Sequence, residues 1–321
     1  MADLLPSTQN PIIITRDAAG DINVAMLPIG GASGIDRQRF RLTNRGAAVA
    51  VSGGAPVTSH MWGIDGLGAI IGGVDITFIS RDNPEVDTIF ESVAQVYPVQ
   101  DYNRADPGWT GSGHGRIFRT QVLAFANSGA PEFFGNITPQ SVTLCNHFYL
   151  HQTFECRFAD GTPWGTYQVW HNFGQFGGVW GLRVETRWTP LAPVYLRNCY
   201  DLMSSAENSP IMLVDGAPSS RTFYDGATGL VSNYGLTRDF GKAANEISFM
   251  KDGGKMTARR ALPSLNSTAN MQSGMGHLQH HVPDSSGDVL DKVRLSAVSR
   301  SVPQLMTTPL RTLVDYSMSA A

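Results

Sequence analysis

Strict alternation of apolar and polar residues marks two segments of the chain, 152–158 and 179–188. Because successive side chains of a β-strand point to opposite faces, each segment predicts a strand with one apolar and one polar face. The residues predicted on the apolar faces are Phe154, Cys156, Phe158, Trp180, Leu182, Val184, Thr186 and Trp188. Those predicted on the polar faces are Thr153, Glu155, Arg157, Gly181, Arg183, Glu185 and Arg187. Such a polar face suits contact with a polar polymer such as a glycan.

Strand-like patterns also precede and follow this region. Residues 10–30 predict a hairpin, and we expect it to dock onto a neighbour, because an isolated hairpin is only marginally stable. Residues 39–52, 69–80 and 117–125 predict further strands. Residues 85–100 fit helical spacing, but their β-branched content favours strands.

These patterns predict an all-β protein, a large antiparallel β-sandwich with long loops and extended terminal arms. The 34 glycines and 18 prolines favour many turns. We expect residues 1–30 to form an N-terminal docking hairpin or arm and residues 31–204 to form the main β-sandwich domain. Residues 205–321 either continue the sandwich or form a second β domain. Within them, residues 263–288 lack periodicity and predict an extended loop.

Composition and charge exclude several classes of protein. Charged residues make up 16% of the chain, below the roughly 25% typical of soluble domains, and the net charge of −3 offers no basic field for nucleic acid. No apolar run reaches the roughly 18 residues of a membrane helix, so we expect no membrane insertion. The first residues lack the basic and apolar regions of a secretory signal peptide. The cysteines, Cys145, Cys156 and Cys199, are expected to be buried thiols made in a reducing cytoplasm.

One group of residue types matches the chemistry of a polysaccharide lyase. Such an enzyme removes the C5 proton of a uronic acid with a Tyr or His base, while Asn, Gln or Arg neutralises the adjacent carboxylate. Tyr167, His171, Asn172 and Arg183 supply these types, with Tyr167 and His171 on one strand face. The alternative is that Tyr167 and His171 are half-buried and that the arginines form cross-strand ion pairs, which is the interpretation we favour.

Metal binding is not expected. His147 and His151 are four residues apart, but Phe148 stands where the zincin motif needs a glutamate. In a strand, residues at that spacing are also roughly 13 Å apart. A metal-binding β protein would require His147, His151 and His171 to converge. We expect neither a metal nor a cofactor.

Loop aromatics and charged strand residues are candidates for contact with a glycan or a protein partner. The polar, glycine-rich segment 101–116 is long for a loop, and such loops tend to be functional. Trp109 and Trp164 stand in Gly/Pro-rich turns, where an exposed aromatic ring could stack on a sugar or cap the end of the sandwich. The contact residues predicted on these grounds are Trp109, His114, Trp164, Arg157 and Glu185.

In overall texture the chain resembles structural proteins of the bacteriophage virion, of the tail, spike or fibre kind. The texture consists of low charge, abundant Gly, Pro and Ser, predominant β-strands and docking-like termini. The resemblance implies a chain made in the host cytoplasm, assembled as a homo-oligomer with other virion proteins, and contacting host surface glycans without catalysing a reaction. Segments 1–30 and 263–288 would then form inter-subunit contacts. The alternative is a glycan-active enzyme, either a polysaccharide lyase or a mutarotase-like sandwich. Its cleft would contain Arg157, Tyr167, His171, Arg183 and Glu185.

Overall fold

The computed structural model of the chain consists almost entirely of β-strands. It describes residues 11–27, 34–49, 57–80, 91–101, 108–111, 115–126, 142–207, 209, 211–214, 216–218, 238–239, 246–261, 277–283 and 289–321. Among these residues the only helix is a short 3-10 turn at Val99–Asp101, and no helix has the length and apolarity to cross a membrane. The predicted all-β class is therefore confirmed.

The strands have the following bounds in chain order: β1 (Ile12–Arg16), β2 (Ile22–Met26), β3 (Arg37–Val49), β4 (Val57–Ile71), β5 (Val74–Ser80), β6 (Glu91–Pro98), β7 (Thr110–Gly111), β8 (Ile117–Ala126), β9 (Val142–Cys145), β10 (Phe148–Arg157), β11 (Pro163–Phe176), β12 (Val179–Pro190), β13 (Val194–Glu207), β14 (Ile211–Val214), β15 (Ala217–Pro218), β16 (Arg238–Asp239), β17 (Glu246–Lys251), β18 (Gly254–Arg260), β19 (His277–Pro283), β20 (Val289–Met306) and β21 (Leu310–Ala320).

The strands form three antiparallel sheets. A nine-stranded sheet has the order β15-β14-β17-β18-β21-β12-β11-β10-β8. The N-terminal six-stranded sheet has the order β5-β4-β3-β2-β1-β9, and the second six-stranded sheet has the order β16-β19-β20-β13-β6-β7. Tight turns with glycines at positive φ, such as Gly177 and Gly178 between β11 and β12, connect neighbouring strands.

Both six-stranded sheets pack against the same inner face of the nine-stranded sheet. Phe173 of β11 meets Phe40 of the N-terminal sheet edge to face, with ring centroids 5.3 Å apart. On the same face of β11, Tyr167 lies near Asp201 of the second six-stranded sheet. Burying apolar side chains between packed sheets supplies the main stabilisation of such a sandwich. The core is one continuous cluster, and it includes residues from β1 to β21.

The predicted terminal hairpin is present as β1 and β2, which pair from Ile12↔Met26 to Arg16↔Ile22. It lies inside the N-terminal sheet, between β9 and β3. Its apolar residues Ile12, Ile14 and Val24 are buried in the core of the chain itself. The described part of the segment 1–30 therefore packs into the core of the chain itself.

The C-terminal part of the chain continues the same sheets. The predicted boundary between residues 204 and 205 falls inside the continuous strand β13, and Ala206, Ile247 and Phe249 belong to the common core. Within the segment 263–288, predicted as a loop, residues 277–283 form β19 and pair with β20. Because this segment lacks periodicity, pairing with β20 rather than local propensity decides the structure of residues 277–283. The remaining residues of that segment lie outside the described part.

The ambiguous segment 85–100 contains a strand, β6, which pairs with β13. The cysteines Cys145, Cys156 and Cys199 are free thiols, and their expected burial is confirmed. Burial raises the pKa of each thiol above its usual value. These side chains therefore act as small apolar groups in the core.

Candidate functional site

The outer face of the nine-stranded sheet carries the polar residues that alternation predicts. Burial alternates at every residue along β10, and along β12 the side chains of Leu182, Val184, Thr186 and Trp188 point inward. We call the opposite surface the polar face. Its residues are Tyr149, His151, Thr153, Glu155, Arg157, Thr166, Gln168, Trp170, Asn172, Arg183, Glu185, Arg187, Arg311 and Asp315.

Ion pairs between neighbouring strands hold the charged side chains of the polar face in place. Arg183 donates two hydrogen bonds to Asp315, at 2.6 and 2.8 Å. Arg311 donates to Glu185 at 2.5 Å, and Arg187 lies 3.5 Å from the same carboxylate. The bond to Asp315 raises the pKa of Arg183. Partly exposed pairs of this kind add little stability, but a network fixes the orientation of its members.

An aromatic cluster occupies the centre of the polar face. His151 of β10 stacks on Trp170 of β11, with centroids 4.6 Å apart and planes within 7°. The guanidinium of Arg187, on the neighbouring strand β12, lies 5.3 Å from the centroid of Trp170. Burial and the Arg187 charge lower the pKa of His151, so the stacked imidazole is neutral at neutral pH. The cluster is a rigid, partly exposed platform flanked by the amides of Gln168 and Asn172.

The four residues considered for a lyase are not brought together. Tyr167 and His171 point to the buried inner face, whereas Asn172 and Arg183 lie on the polar face. This separation follows from strand geometry, because Asn172 directly follows His171. A cleft uniting Tyr167 and His171 with Arg183 and Glu185 is therefore absent from this sheet.

The environments of Tyr167 and His171 are those of core residues. Tyr167 is fully buried against Trp188, with centroids 4.2 Å apart, and burial raises its pKa well above the usual value. His171 is only 2% exposed, and burial lowers its pKa to about 3. His171 is therefore neutral in the folded protein. Because its side chain is buried on the inner face, it cannot contact a polymeric substrate on the outer face.

The predicted contact residues lie in several different environments. Trp164 is not an exposed loop residue: it is 2% exposed and stacks against Trp188 with centroids 6.1 Å apart. It lies in the core at the beginning of β11, which starts one residue earlier, at Pro163. Trp109 is half-buried beside β7, and His114 lies outside the described residues. Arg157 pairs with Glu155 at 2.6 Å, and its guanidinium lies 4.6 Å from the ring centroid of Phe118.

The histidines predicted not to form a metal site are distributed over different faces of β10 and β11. His151 lies on the polar face, stacked on Trp170, whereas His171 points into the core. Within the described ranges, no group of three His, Cys, Asp or Glu side chains could hold a metal ion. The convergence that a metal-binding β protein requires is thus missing for His151 and His171.

Comparisons with known proteins provide no family for this chain. No protein-family model matches it, and no curated protein matches it. Among solved structures, the Slr1438 protein from Synechocystis sp. PCC 6803 aligns over 99% of both chains with 9% sequence identity and a TM-score of 0.28. A TM-score of this size supports no conclusion about fold or function.

Sequence reasoning missed one cluster of chemistry-bearing side chains. Arg37, Arg39 and Arg41 alternate along β3 and line a groove on the outer face of the N-terminal sheet. The alternation Arg-Gln-Arg-Phe-Arg was itself visible in the sequence. The residues that complete the groove come from β1, β2, β4 and β5, and only the folded register brings them together.

Proposed function

We propose that the chain is a structural, receptor-binding component of a virion that contacts glycans on the host surface through the polar face. The observation that carries this proposal is the platform around Trp170, which presents aromatic, amide and guanidinium groups on neighbouring strands of one sheet. Aromatic rings favour the CH faces of sugars, while amide and charged side chains hydrogen-bond sugar hydroxyls. A sheet holds such groups more rigidly than loops do.

The non-catalytic character of this function is also a proposal, and the burial of the candidate bases supports it. A general base must come within hydrogen-bonding reach of the proton that it removes. Tyr167 and His171 lie beneath the sheet surface that carries Asn172 and Arg183. The polysaccharide-lyase alternative therefore draws no support from the geometry of these four residues.

Assembly and location complete the proposal. A virion component of this kind is made in the host cytoplasm and functions as a homo-oligomer together with other virion proteins. The three buried free thiols are compatible with synthesis in a reducing compartment. The large shared core is compatible with a chain that folds before it assembles.

A binding experiment with matched variants tests the role of the polar face. Purified chain is titrated with polysaccharide extracted from bacterial surfaces, and the double variant Gln168→Ala/Asn172→Ala is compared with Gln175→Ala. Gln175 lies at the end of the same strand, where its amide donates to Gly178 O in the turn. We expect the double variant to bind about tenfold more weakly, because two hydrogen-bonding amides are lost, and Gln175→Ala to bind as the wild type does. Absence of binding by the wild type, or equal binding by the double variant, would contradict the proposal.

A further inference from the structure

A groove of about 510 Å³ lies on the outer face of the N-terminal six-stranded sheet. It is separate from the polar face, which belongs to the nine-stranded sheet. Three guanidinium groups, those of Arg37, Arg39 and Arg41, form a row along β3, because alternate residues of a strand share a face. The lining of the groove thus contains three guanidinium groups and one carboxylate, that of Asp75.

Small residues on the neighbouring strands make room for the arginine side chains. Arg39 is paired with Ala25 of β2 and with Gly68 of β4, and Arg41 is paired with Gly66. A Cβ atom at Gly68 would lie 3.2 Å from Arg39 Nη2, and one at Gly66 would lie 2.8 Å from Arg41 Cβ. The glycines therefore form a floor on which the guanidinium groups lie close to the sheet.

The charges in the groove are only partly compensated within the described residues. Arg41 pairs with the buried Asp65 at 2.9 Å, and Arg39 pairs with Asp75. Arg37 forms no ion pair in that part of the chain. Arg39 and Asp75 have side chains that are 40% and 53% exposed, so an incoming anion can compete with Asp75 for Arg39. The groove can therefore accept a carboxylate at Arg37 and a second one at Arg39.

The remaining lining favours a sugar over a peptide. Thr15, Asn23 and Thr77 contribute hydroxyl and amide groups, which both donate and accept hydrogen bonds as sugar hydroxyls require. A peptide usually binds a sheet by adding a strand at an open edge. Strand β3 is paired on both sides, with β2 and β4, so its main chain offers no edge. Recognition at the row of arginines on β3 must therefore use side chains.

We propose that this groove binds an acidic oligosaccharide, with sugar carboxylates at Arg37 and Arg39 and sugar hydroxyls at Thr15, Asn23 and Thr77. Guanidinium groups bind carboxylates strongly because their planar donors match the two carboxylate oxygens. The inference rests on the proposed function in one respect, that the natural ligand is a glycan, and adds its charge and a second surface of contact.

The probe is tetragalacturonate, titrated into the full chain, with neutral maltotetraose and acidic tetraglutamate as comparison ligands. Arg37→Gln is expected to weaken tetragalacturonate binding about tenfold, because it removes one charged hydrogen-bonding partner. Asp75→Asn is expected to strengthen binding, because it removes the carboxylate that competes for Arg39. A loss of folding cannot produce that increase. Arg197→Gln, on β13 of the second six-stranded sheet and outside both the groove and the polar face, is the matched control and should leave the affinity unchanged.

The possible results separate this inference from the proposed function. Weaker binding by Arg37→Gln, tighter binding by Asp75→Asn and weak binding of both comparison ligands would support the groove. Equal affinity of the wild type and both groove variants would overturn the groove inference while leaving glycan binding through the polar face intact. Tight binding of tetraglutamate would overturn the sugar specificity. No binding of tetragalacturonate would overturn the inference, and no binding of any glycan, including the bacterial surface polysaccharide, would overturn the proposed function as well.

Discussion

The hydroxyl of Thr186 donates a hydrogen bond of 2.5 Å to Oδ2 of Asp201 in the interior of the sandwich. Thr186 belongs to β12 of the nine-stranded sheet and Asp201 to β13 of the second six-stranded sheet, so the bond joins two layers. Burial raises the pKa of Asp201, and hydrogen bonds that include this one oppose the shift. The next residue, Leu202, has a φ of 52°, a strained conformation for a non-glycine residue. The backbone around Asp201 is thus held in place by its contacts.

We predict that Thr186→Val lowers the free energy of unfolding by about 2 kcal/mol at neutral pH, because a buried carboxylate loses a donor. Protonation of Asp201 removes the buried charge that needs this donor. The loss of stability caused by Thr186→Val should therefore shrink as the pH falls through the pKa of folded Asp201. Urea unfolding at several pH values measures both effects. Thr189→Val, at a half-buried position of the same strand, should change stability by less than about 0.5 kcal/mol. Equal losses for the two variants at every pH would contradict this role of Thr186.

Gln152, on β10, joins the nine-stranded sheet to β4 of the N-terminal sheet. Its side-chain amide accepts from the main-chain N–H of Trp62 at 2.7 Å and donates to the carbonyl oxygen of Trp62 at 2.8 Å. Gln152→Leu should lower the free energy of unfolding by about 3 kcal/mol, because two buried main-chain groups lose their partner. Gln168→Leu, on the polar face, serves as the control and should cost far less. Thermal unfolding of both variants provides the comparison. Similar melting temperatures would show that the two hydrogen bonds between Gln152 and the main chain of Trp62 do not stabilise the fold.

His171 predicts a specific dependence of stability on pH. Its pKa in the folded protein is about 3, whereas an unfolded histidine titrates near 6.5. Between these values the unfolded state binds a proton that the folded state does not, so stability falls as the pH falls, by about 1.4 kcal/mol per pH unit. His171→Leu removes this contribution and should gain stability relative to the wild type below about pH 6.5.

The measurement is denaturant unfolding of the wild type and His171→Leu between about pH 7.5 and pH 4.5. His151→Leu is the comparison variant, because His151 is only half-buried and its pKa is lowered to a smaller degree. If the free energies of unfolding of the wild type and His171→Leu depended on pH in the same way, the pKa of His171 would not be lowered in the folded protein.

A pair of glycines opposite each other in β11 and β12 should respond very differently to alanine. Gly174 and Gly181 are register partners. A Cβ atom at Gly181 would lie 2.1 Å from the carbonyl oxygen of Tyr316 in β21, whereas one at Gly174 would meet nothing closer than 3.9 Å. Gly181→Ala should lower the free energy of unfolding by about 3 kcal/mol or more, because main chain must move. Gly174→Ala should be neutral or slightly stabilising. Circular-dichroism melts would test this contrast, and equal melting temperatures would refute it.

Alternation in the sequence was sufficient to assign the faces of β10 and β12, because each strand has aromatic or aliphatic residues on one side and charged residues on the other. It failed at β11, where Tyr167 lies on the inner face and Trp170 on the outer one. Tyr167 and His171 were correctly placed on one face, but with aromatics on both faces the pattern could not show which face is buried. For Trp164 the sequence left two alternatives open, an exposed ring or a cap at the end of the sandwich, since Gly/Pro-rich neighbours are common both in exposed turns and at strand ends.

The arginine groove depends on information that local patterns do not contain. Gly66 and Gly68 are separated from Arg41 and Arg39 by more than twenty residues, and the register of β3 with β4 shifts between Arg41 and Leu42. A register change of one residue would move the glycines to the other face. The hydrogen bond from Thr186 to Asp201 is equally non-local, because it joins different sheets.

Calorimetric titration of bacterial surface polysaccharide into the purified chain tests the central claim most directly, because it reports binding and turnover together. We predict saturable heat that returns to baseline after each addition, as expected for a protein that binds a glycan without cleaving it. A steady heat flow after each addition would reveal catalysis and contradict the non-enzymatic account. The absence of any heat, confirmed by unchanged thermal stability in the presence of the polysaccharide, would contradict glycan binding itself.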